Sequence, residues 1–500
     1  MRIFPVSDIS YIEKSAVDNL GIPEILLMEN AASSVFNAVT NLKPSPGNIA
    51  ILCGVGNNGG DGFACARKFI AHGIKTTVFF FNAVDKFTPA TLLNYNILKN
   101  LNADLVPFGN IYDFSEFDLV IDALLGTGTN RPLQGEYKTI IDSVNKSQAY
   151  KVAVDIPSGL YADKCSVNET VFKADLTITF IAPKICQTLY PSKEYCGKII
   201  MDNLAIPKNI YPEKPYITLS SKATLPNIKK RQRDTHKGSY GHVLTVGGSQ
   251  GMGGAVYMAS VAALRIGAGL VSAIFPYECG MYFSSSPEIM AHPINCGSYF
   301  TETDAENIAS LICNKNISVV CLGNGLGRNE NTVAFVKKLI RLTDKPFVID
   351  ADGINALDDS DLEVLRGRAV ITPHLGEFSR LTKTTVENIK YNRPECAVSF
   401  ALDYGITLAL KSAEIIIASP KGKVIVSDYG TATLAKGGSG DCFAGITAGF
   451  IAQGYTMEDS AELASYILGQ SGCWAENNLN ENTVTATDVI KYFYRSLNEL

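Results

Sequence analysis

The chain has 500 residues, of which 46% are hydrophobic and 19% are charged, and its formal net charge is -5. This length exceeds one comfortable hydrophobic core, so we expect two or three domains. The small net charge argues against a polyanionic partner or a membrane surface, and no apolar run approaches the roughly 20 residues that span a bilayer. We therefore expect a cytoplasmic protein without nucleic-acid or membrane partners.

The 12 cysteines and 5 histidines show no metal-binding spacing. No C-x-x-C pair or H-E-x-x-H cluster occurs, and the cysteines lie in apolar, strand-like contexts. Reduced, buried thiols fit this pattern better than zinc ligands or disulfides do.

Short apolar runs alternate with helix-length stretches in the first half of the chain. The runs are 49–53, 77–81, 118–121, 152–155 and 176–181. Strands that are apolar on both faces and alternate with helices are typical of a parallel sheet covered on both sides. The first 40 residues predict two helices, the first with Ile9, Ile12, Ala16 and Leu20 on one face.

A proline-spaced stretch at 206–215, followed by a basic run at 229–233, indicates a domain boundary. We therefore expect one domain at 1–210 and a second at 225–500. The second half repeats the α/β pattern, with eight predicted strands at 243–246, 270–275, 318–322, 347–350, 369–372, 407–410, 415–418 and 424–427. The last three lie close together, so we expect antiparallel pairs at that end of the sheet.

The segment GVGNNGGDG at 54–62 follows a strand and opens a helix. It satisfies G-x-G-x-x-G, but the next strand ends in Asn82, without the acidic residue that holds a ribose in an ordinary dinucleotide site. The segments 122–129 and 155–159 follow two other strands, so all three loops should meet at the carboxyl edge of the sheet. Their hard oxygen donors suit an alkali or alkaline-earth cation.

The motifs LMENA, GVGNNGGDG, DALLGTG and DIPSG, in this order, resemble the NAD(P)H-hydrate epimerase domain over about 1–210. The resemblance implies a Rossmann-like fold that interconverts the two C6 epimers of hydrated NADH or NADPH. It also implies K⁺ ligands at Asn58, Asp122 and Ser158, and it leaves open whether Asp155 or Asp61 carries the proton transfer. The implied substrate contacts are Asn57, Asn58, Gly59, Gly60, Asp61, Gly126, Thr127, Gly128, Thr129, Asn130, Arg131, Pro132 and Asp155.

The segment AKGGSGD at 435–441 precedes an apolar helix in the second half. Free backbone amides at such a helix start form an anion site, and a carboxylate beside it makes sense as an acid or base toward a hydroxyl. GNGLG at 323–327, DADG at 350–353, TPHLGE at 372–377 and Lys411 also lie at the ends of predicted strands on the same edge. These residues predict a phosphoryl-transfer site.

These motifs resemble the ADP- or ATP-dependent NAD(P)H-hydrate dehydratase, a ribokinase-like fold, over about 225–500. The resemblance implies that Asp441 activates the C6 hydroxyl, that Gly325 and His374 contact the hydrate, and that Mg²⁺ arrives with ADP or ATP. ADP is the expected donor. The implied nucleotide contacts are Lys411, Ser412, Ala413, Glu414, Ile415 and Gly440.

One segment departs from the family pattern. The family usually shows K-G-A-x-T where this chain reads Lys411-Ser412-Ala413-Glu414-Ile415. The threonine hydroxyl is absent, and a serine replaces the glycine. The departure bears on nucleotide affinity and choice.

The two halves together predict a bifunctional repair enzyme for hydrated NADH and NADPH, and we expect a homo-oligomer. One alternative is a ribokinase-type kinase for a small molecule, with a nucleotide-binding first half. Another is a regulatory binding module in the first half, which its carboxylates Asp61, Asp122 and Asp155 argue against.

Overall fold

The computed structural model describes residues 1–109, 113–213, 217–294, 297 and 299–500. The chain folds into two compact units, Arg2–Tyr216 and Ile217–Leu500, the latter together with Met1. Among the helices of these described ranges, none is both long enough and apolar enough to cross a membrane.

The first unit alternates strands and helices. Its strands are β1 (Arg2–Ile3), β2 (Asn48–Cys53), β3 (Lys75–Phe80), β4 (Asp104–Pro107), β5 (Leu119–Ala123), β6 (Tyr150–Val154), β7 (Leu176–Phe180) and β8 (Lys198–Asp202). Its helices are α1 (Val6–Asp18), α2 (Glu24–Thr40), α3 (Asn57–Ala71), α4 (Pro89–Asn100) and α5 (Gly135–Lys146). Short 3₁₀ turns lie at Val84–Lys86, Ile185–Gln187, Ser192–Tyr195 and Lys208–Ile210.

Seven of these strands form one sheet in the order β4-β3-β2-β5-β6-β7-β8, and every pair is parallel. Ile51 on β2 is in register with Val78 on β3 and Ile121 on β5. The strand order reverses between β2 and β5, which is the switch point where ligands bind in doubly wound sheets. The Rossmann-like prediction is confirmed.

Buried apolar side chains cover both faces of this sheet. Phe63 and Phe69 of α3 belong to the core on one face, and Ile140 and Val144 of α5 belong to the core on the other. Leu20 was expected on the buried face of α1, but α1 ends at Asp18 and Leu20 is exposed.

The second unit is larger. Its strands are β9 (Ile217–Leu219), β10 (His242–Val246), β11 (Leu270–Pro276), β12 (Met290–Ile294), β13 (Val319–Leu322), β14 (Phe347–Ile349), β15 (Ala369–Ile371), β16 (Thr407–Lys411), β17 (Ile415–Ala418) and β18 (Val424–Ser427). Its longer helices are α6 (Gly253–Arg265), α7 (Glu302–Asn314), α8 (Glu330–Leu342), α11 (Leu375–Thr382), α13 (Arg393–Tyr404), α14 (Ser439–Ala452) and α15 (Met457–Asn478). Shorter helices are α9 (Asp352–Asn355), α10 (Asp359–Val364), α12 (Val386–Tyr391), α16 (Ala486–Lys491) and α17 (Phe493–Asn498), with 3₁₀ turns at Lys237–Tyr240, Tyr277–Ser285 and Ala432–Leu434.

The sheet of this unit runs β12-β11-β10-β13-β14-β15-β16-β17-β18-β9. The pairs from β12 to β16 are parallel, and the pairs β16–β17 and β17–β18 are antiparallel. The expected antiparallel end of the sheet is therefore confirmed.

Helix α14 is buried along most of its length because its sequence carries few polar residues. It packs closely on α6 at Gly445, where an added Cβ atom would lie 2.1 Å from the Ala259 carbonyl oxygen. At its start, Gly438 has φ +99°, a left-handed conformation that a residue with a side chain rarely adopts. This packing fixes the position of Asp441 in the first turn of the helix.

Candidate active sites

The first site is a crevice at the carboxyl ends of β2 and β5. Helix α3 begins at Asn57, so Asn57 and Asn58 form its first turn, where free backbone amides point outward. A cavity of about 720 Å³ lies beside them. Its lining includes the predicted contacts Asn57, Asn58, Gly126, Thr127, Gly128, Thr129, Asn130, Arg131 and Pro132.

The three predicted K⁺ ligands are brought together by hydrogen bonds below this cavity. The Asn58 amide Nδ2 donates to the Leu125 carbonyl oxygen at 3.0 Å, and the Leu125 amide donates to Ser158 Oγ at 3.1 Å. Ser158 Oγ and its backbone N–H donate to the two oxygens of Asp122, both at 2.7 Å. The predicted convergence of the three loops is thus present in the structure.

Asp122 is fully buried, and burial raises the pKa of its carboxyl to about 6, although hydrogen bonds from Ser158 and Leu124 oppose that rise. Within the described ranges, no lysine or arginine forms an ion pair with Asp122. One carboxylate with nearby amide, hydroxyl and carbonyl oxygens is a donor set that fits a weakly charged hard cation. The residues present are therefore compatible with the K⁺ that the resemblance implies.

Asp155 does not line the cavity. It follows β6 with φ +66°, a left-handed conformation that is uncommon for a residue with a side chain. Its Oδ1 atom pairs with the ammonium group of Lys184 and accepts a hydrogen bond from the Phe180 amide at 3.2 Å. The backbone and side chain of Asp155 are therefore both held by β7 and the segment after it.

Asp61 lies one turn inside α3 and does not line the cavity either. Burial raises the pKa of its carboxyl well above the ordinary value, and the negative charges of Asp155, Glu13 and Glu24 raise it further. The pKa of Glu13 is also raised, to about 7, by desolvation of its carboxyl and then by the negative charge of Asp155. The residue as a whole is exposed. Asp61 and Asp155 therefore belong to one acidic cluster on α1, α2, α3 and the β6 loop.

Gly59 and Gly60 are needed for the packing of α3. An added Cβ atom at Gly59 would lie 1.9 Å from the Gly54 carbonyl oxygen, and one at Gly60 would lie 2.4 Å from Met28 Cε. Their predicted contact with substrate stays a prediction.

The second site lies at the carboxyl edge of the parallel strands in the second unit. Asn324, after β13, donates its amide Nδ2 to Asp441 Oδ1 at 2.8 Å and to Asp350 Oδ2 at 3.2 Å. Asp350, after β14, also accepts from Thr372 Oγ1 at 2.7 Å and from Lys411 Nζ at 2.5 Å. Residues from four strand ends thus surround Asp441.

The pKa of Asp441 is raised to about 6. Burial is the largest cause, followed by the negative charge of Asp350, while the Asn324 hydrogen bond and the Lys411 charge oppose the rise. A carboxyl with this pKa ionises near neutral pH and can act as a general base.

Gly440, Gly325 and His374 lie near this network. An added Cβ atom at Gly440 would be 3.2 Å from Lys411 Nζ, and the Gly325 carbonyl oxygen accepts a hydrogen bond from Ser249 Oγ at 2.8 Å. His374 caps α11 by accepting the Gly376 amide at 3.0 Å on Nδ1, and it is bridged to Lys411 through the backbone. The His374 side chain is 56% exposed, so its ring is accessible to a ligand.

The segment 411–415 forms the tight turn between β16 and β17. The Ser412 amide donates to the Glu414 carbonyl oxygen at 3.0 Å, and Ser412 and Ala413 are exposed. The Glu414 side chain points inward, where its Oε2 atom is 2.8 Å from Nη1 of the buried Arg393. A nucleotide on this turn would therefore meet its backbone and not the Glu414 carboxylate.

Several residues of both sites were not singled out from the sequence. Asn324, Asp350 and Thr372 were placed at the correct edge of the sheet but given no role. Lys184 and Glu13 belong to no recognisable motif. The one sequence signal for a role of Lys184 was a charged residue within the largely apolar stretch 176–186. Tyr137 of α5 lines the first cavity and was also missed.

Two family models match the chain. A family described as the YjeF-related protein N-terminus matches residues 24–186, and one described as NAD(P)H-hydrate dehydratase matches residues 243–495. Among curated proteins, the bifunctional NAD(P)H-hydrate repair enzyme Nnr of Thermofilum pendens is 31% identical over 100% of this chain and 97% of its own length. The enzyme of the same name from Coxiella burnetii is 34% identical over 96% of this chain and 96% of its own length.

Among solved structures, the ADP/ATP-dependent NAD(P)H-hydrate dehydratase of Bacillus subtilis, co-crystallised with ATP and Mg²⁺, is 25% identical. The match covers 55% of this chain and 94% of that chain, with a TM-score of 0.48. The fold and the family models together define a two-unit α/β enzyme with a Rossmann-like first unit and a second unit that matches the NAD(P)H-hydrate dehydratase family. The chain belongs to the family of bifunctional NAD(P)H-hydrate repair enzymes.

Proposed function

We propose that the chain repairs hydrated NADH and NADPH in two steps. The first unit interconverts the R and S epimers at C6, and the second removes water from the S hydrate with a nucleotide donor, ADP by preference. Full-length similarity to relatives named bifunctional NAD(P)H-hydrate repair enzymes carries this proposal, together with the NAD(P)H-hydrate dehydratase family model. The presence of a carboxylate site in each unit supports it.

In the second unit, Asp441 acts as the general base. It takes the proton of the C6 hydroxyl while the hydroxyl oxygen attacks the terminal phosphorus of the nucleotide, which then leaves one phosphate shorter. The new phosphate ester is a better leaving group than hydroxide. The C6–O bond breaks with help from the ring nitrogen, and loss of a C5 proton restores the dihydronicotinamide.

The backbone amides of Gly438–Gly440 face the transferring phosphoryl group at the start of α14. Free amides at a helix N-terminus stabilise negative charge that develops there. Lys411, next to Gly440, contributes a positive charge to the nucleotide phosphates. Mg²⁺ bound to the nucleotide would neutralise part of the phosphate charge.

In the first unit, the hydrate occupies the cavity beside Asn57 and the loop 126–132. Asn58, Asp122 and Ser158 would hold K⁺, which would supply a positive charge beside the substrate. Asp155 and Asp61 do not line this cavity, so the C6 end of the hydrate must extend beyond it to the acidic cluster, where these two groups move protons to and from the C6 hydroxyl and the water that replaces it.

The experiment mixes the protein with an R and S mixture of hydrated NADH, K⁺, Mg²⁺ and either ADP or ATP, and follows the return of reduced-nicotinamide absorbance to its end point. Complete recovery supports both activities, and the faster nucleotide is the donor. Recovery that stops with the R epimer left over contradicts the epimerase assignment alone. A phosphorylated product that accumulates without recovery favours a small-molecule kinase instead.

A further inference from the structure

We propose that Lys184 is a positioning residue of the epimerase site: its ammonium group holds Asp155 through one carboxylate oxygen, so that the other oxygen accepts the proton and Asp61 donates it. The inference rests on the proposed epimerase function. It assigns separate proton-transfer roles to Asp155 and Asp61, between which the sequence did not choose. It assigns a role to a side chain that none of the site motifs contains.

The first argument is the environment of the lysine. Lys184 is 0% exposed, and its Nζ atom pairs with Asp155 Oδ1. Nζ also donates to Thr179 Oγ1 at 2.8 Å and to the Phe180 carbonyl oxygen at 3.0 Å. Three acceptors satisfy the three N–H groups of an ammonium ion, and a buried ammonium ion is tolerated only when it is paired in this way. The pair is therefore a fixed, charged unit.

The second argument is the way Asp155 is held. Gln187 Nε2 donates to the Asp155 carbonyl oxygen at 2.7 Å, and the Asp155 amide donates to the Ile178 carbonyl oxygen at 2.8 Å. These bonds hold the residue at φ +66°, a conformation that persists only where its surroundings enforce it. Lys184, Phe180 and Thr179 all contact Oδ1. Oδ2 accepts no hydrogen bond from the part of the chain that the structure describes, so this oxygen is available to take a proton.

The third argument is the charge around the pair. Glu13 on α1 and Asp61 on α3 interact electrostatically with Asp155, and Glu24 on α2 interacts with Glu13 and Asp61. Among the described residues, Lys184 forms an ion pair with Asp155 and with none of the other three carboxyl groups. Asp61 forms no ion pair with a lysine or arginine of the described ranges, and desolvation raises the pKa of its carboxyl well above the ordinary value. Asp155 is therefore the carboxylate that a fixed positive charge accompanies, and Asp61 is the group suited to donate a proton.

The division of roles gives a balanced reaction. Asp61 donates a proton to the C6 hydroxyl, which leaves as water while the ring nitrogen forms a double bond to C6. A water molecule then adds to the opposite face of C6 and gives a proton to Asp155. One proton has moved from Asp61 to Asp155, and exchange with solvent restores the starting state. The reverse epimerisation runs the same steps backwards, from the form in which Asp155 holds the proton and Asp61 is ionised.

The test uses the full chain with separated R and S hydrates of NADH and no nucleotide, so that only epimerisation is measured by chromatography. We expect Lys184→Met to lower kcat for epimerisation about 100-fold with little change in KM, which is the usual loss when general acid–base catalysis is disabled. Dehydration of the S hydrate with ADP should be unchanged.

The matched control is Lys151→Met. Lys151 lies on β6 of the same sheet and donates to the Ser147 and Ala149 carbonyl oxygens at 2.9 and 3.0 Å, away from the site. The Lys151→Met protein should interconvert the R and S hydrates at the wild-type rate. Thermal unfolding of both variants shows whether the first unit remains folded.

A milder variant covers the case in which Lys184→Met does not fold. Thr179→Val removes the hydroxyl that bridges Lys184 and Asp155 without leaving a buried charge unpaired, and it should lower kcat several-fold, by about the value of one hydrogen bond. Folded Lys184→Met or Thr179→Val proteins with the wild-type kcat and KM for epimerisation would overturn the role of Lys184. A wild-type protein that does not interconvert the epimers would instead overturn the epimerase function itself.

Discussion

Each unit pairs a lysine with an aspartate at a strand end and leaves a second carboxyl group with a raised pKa. In the first unit the pair is Lys184–Asp155 and the second group is Asp61; in the second unit the pair is Lys411–Asp350 and the second group is Asp441. The two lysines differ in exposure, with 0% of the Lys184 side chain accessible and 19% of the Lys411 side chain accessible. A buried lysine stays with its partner, whereas a partly exposed one can turn to an incoming phosphate.

A second contrast concerns the two carboxyls whose pKa is about 6. Asp122 accepts three hydrogen bonds, from Leu124 and from the backbone and side chain of Ser158. From the described residues Asp441 accepts one, from Asn324. The Asp122 carboxylate is therefore held firmly in place, whereas Asp441 keeps free lone pairs, which its proposed role as a base requires.

The largest effect is expected from Asp441→Asn, which removes the proposed base. We expect about a 1,000-fold loss of dehydration, within the range that general bases contribute. Epimerisation should be unchanged, because its carboxylates lie in the other unit. The measurement is single-turnover recovery of NADH from the S hydrate, with the exposed Asp403→Asn as the matched control. A residual rate above one tenth of wild type would remove Asp441 from the chemistry.

Lys411→Met tests whether the second lysine leaves Asp350 for the nucleotide. A charge-assisted hydrogen bond to phosphate is worth about 1.5–3 kcal/mol, so kcat/KM for the nucleotide should fall roughly 10- to 100-fold. Lys421→Met on the neighbouring turn should have no effect, since Lys421 is exposed. Steady-state kinetics with varied ADP is the measurement. An unchanged KM for ADP would show that Lys411 remains with Asp350, as Lys184 remains with Asp155.

The pH dependence of dehydration should show the ionisation of Asp441. Its pKa is raised to about 6, and a base must be ionised, so activity should be present above this pH and lost below it. Between about pH 7 and pH 5 we expect kcat/KM to fall about tenfold, as one ionisation requires. A profile that stays flat through this range would contradict the raised pKa.

Ser158→Ala tests the network around Asp122. It removes one hydroxyl donor to a buried carboxylate and one proposed K⁺ ligand, so we expect the half-saturating K⁺ concentration to rise about fivefold, equivalent to about 1 kcal/mol. Epimerisation measured as K⁺ is added to a protein kept in tetramethylammonium buffer provides the test. Ser143→Ala on α5 is the control. If the epimerisation rates of the wild-type and Ser158→Ala proteins do not change as K⁺ is added, the result would argue against a cation beside Asp122.

The sequence predicted the central strands and the loops that follow them, because long apolar runs and glycine-rich turns are strong local signals. The strands β4, β8 and β12 were not predicted. All three lie at sheet edges, their residues are exposed or partly exposed, and their apolar runs are only two or three residues long, so the sequence marks them weakly. β9 was also missed, and only one of its residues, Ile217, is buried.

The site residues also divide into those that local sequence patterns predicted and those that they did not. Asn58, Asp122 and Ser158 lie in motifs and are brought together by the parallel topology, which the sequence implies. The contacts of Lys184 with Asp155 and of Arg393 with Glu414 join residues 29 and 21 positions apart, and no local pattern predicts them. Long-range pairs of this kind become visible only when the chain is folded.

The hydrogen bonds around Asp122 have a consequence for ion exchange. Leu124 and Ser158 already hold both carboxylate oxygens in place, so the arrangement of the loop does not depend on a bound ion. An ion would enter a preorganised position, and little of its binding energy would be spent on ordering the chain. The first unit should therefore keep its fold through dialysis into buffers that lack potassium and regain its activity as soon as the ion returns.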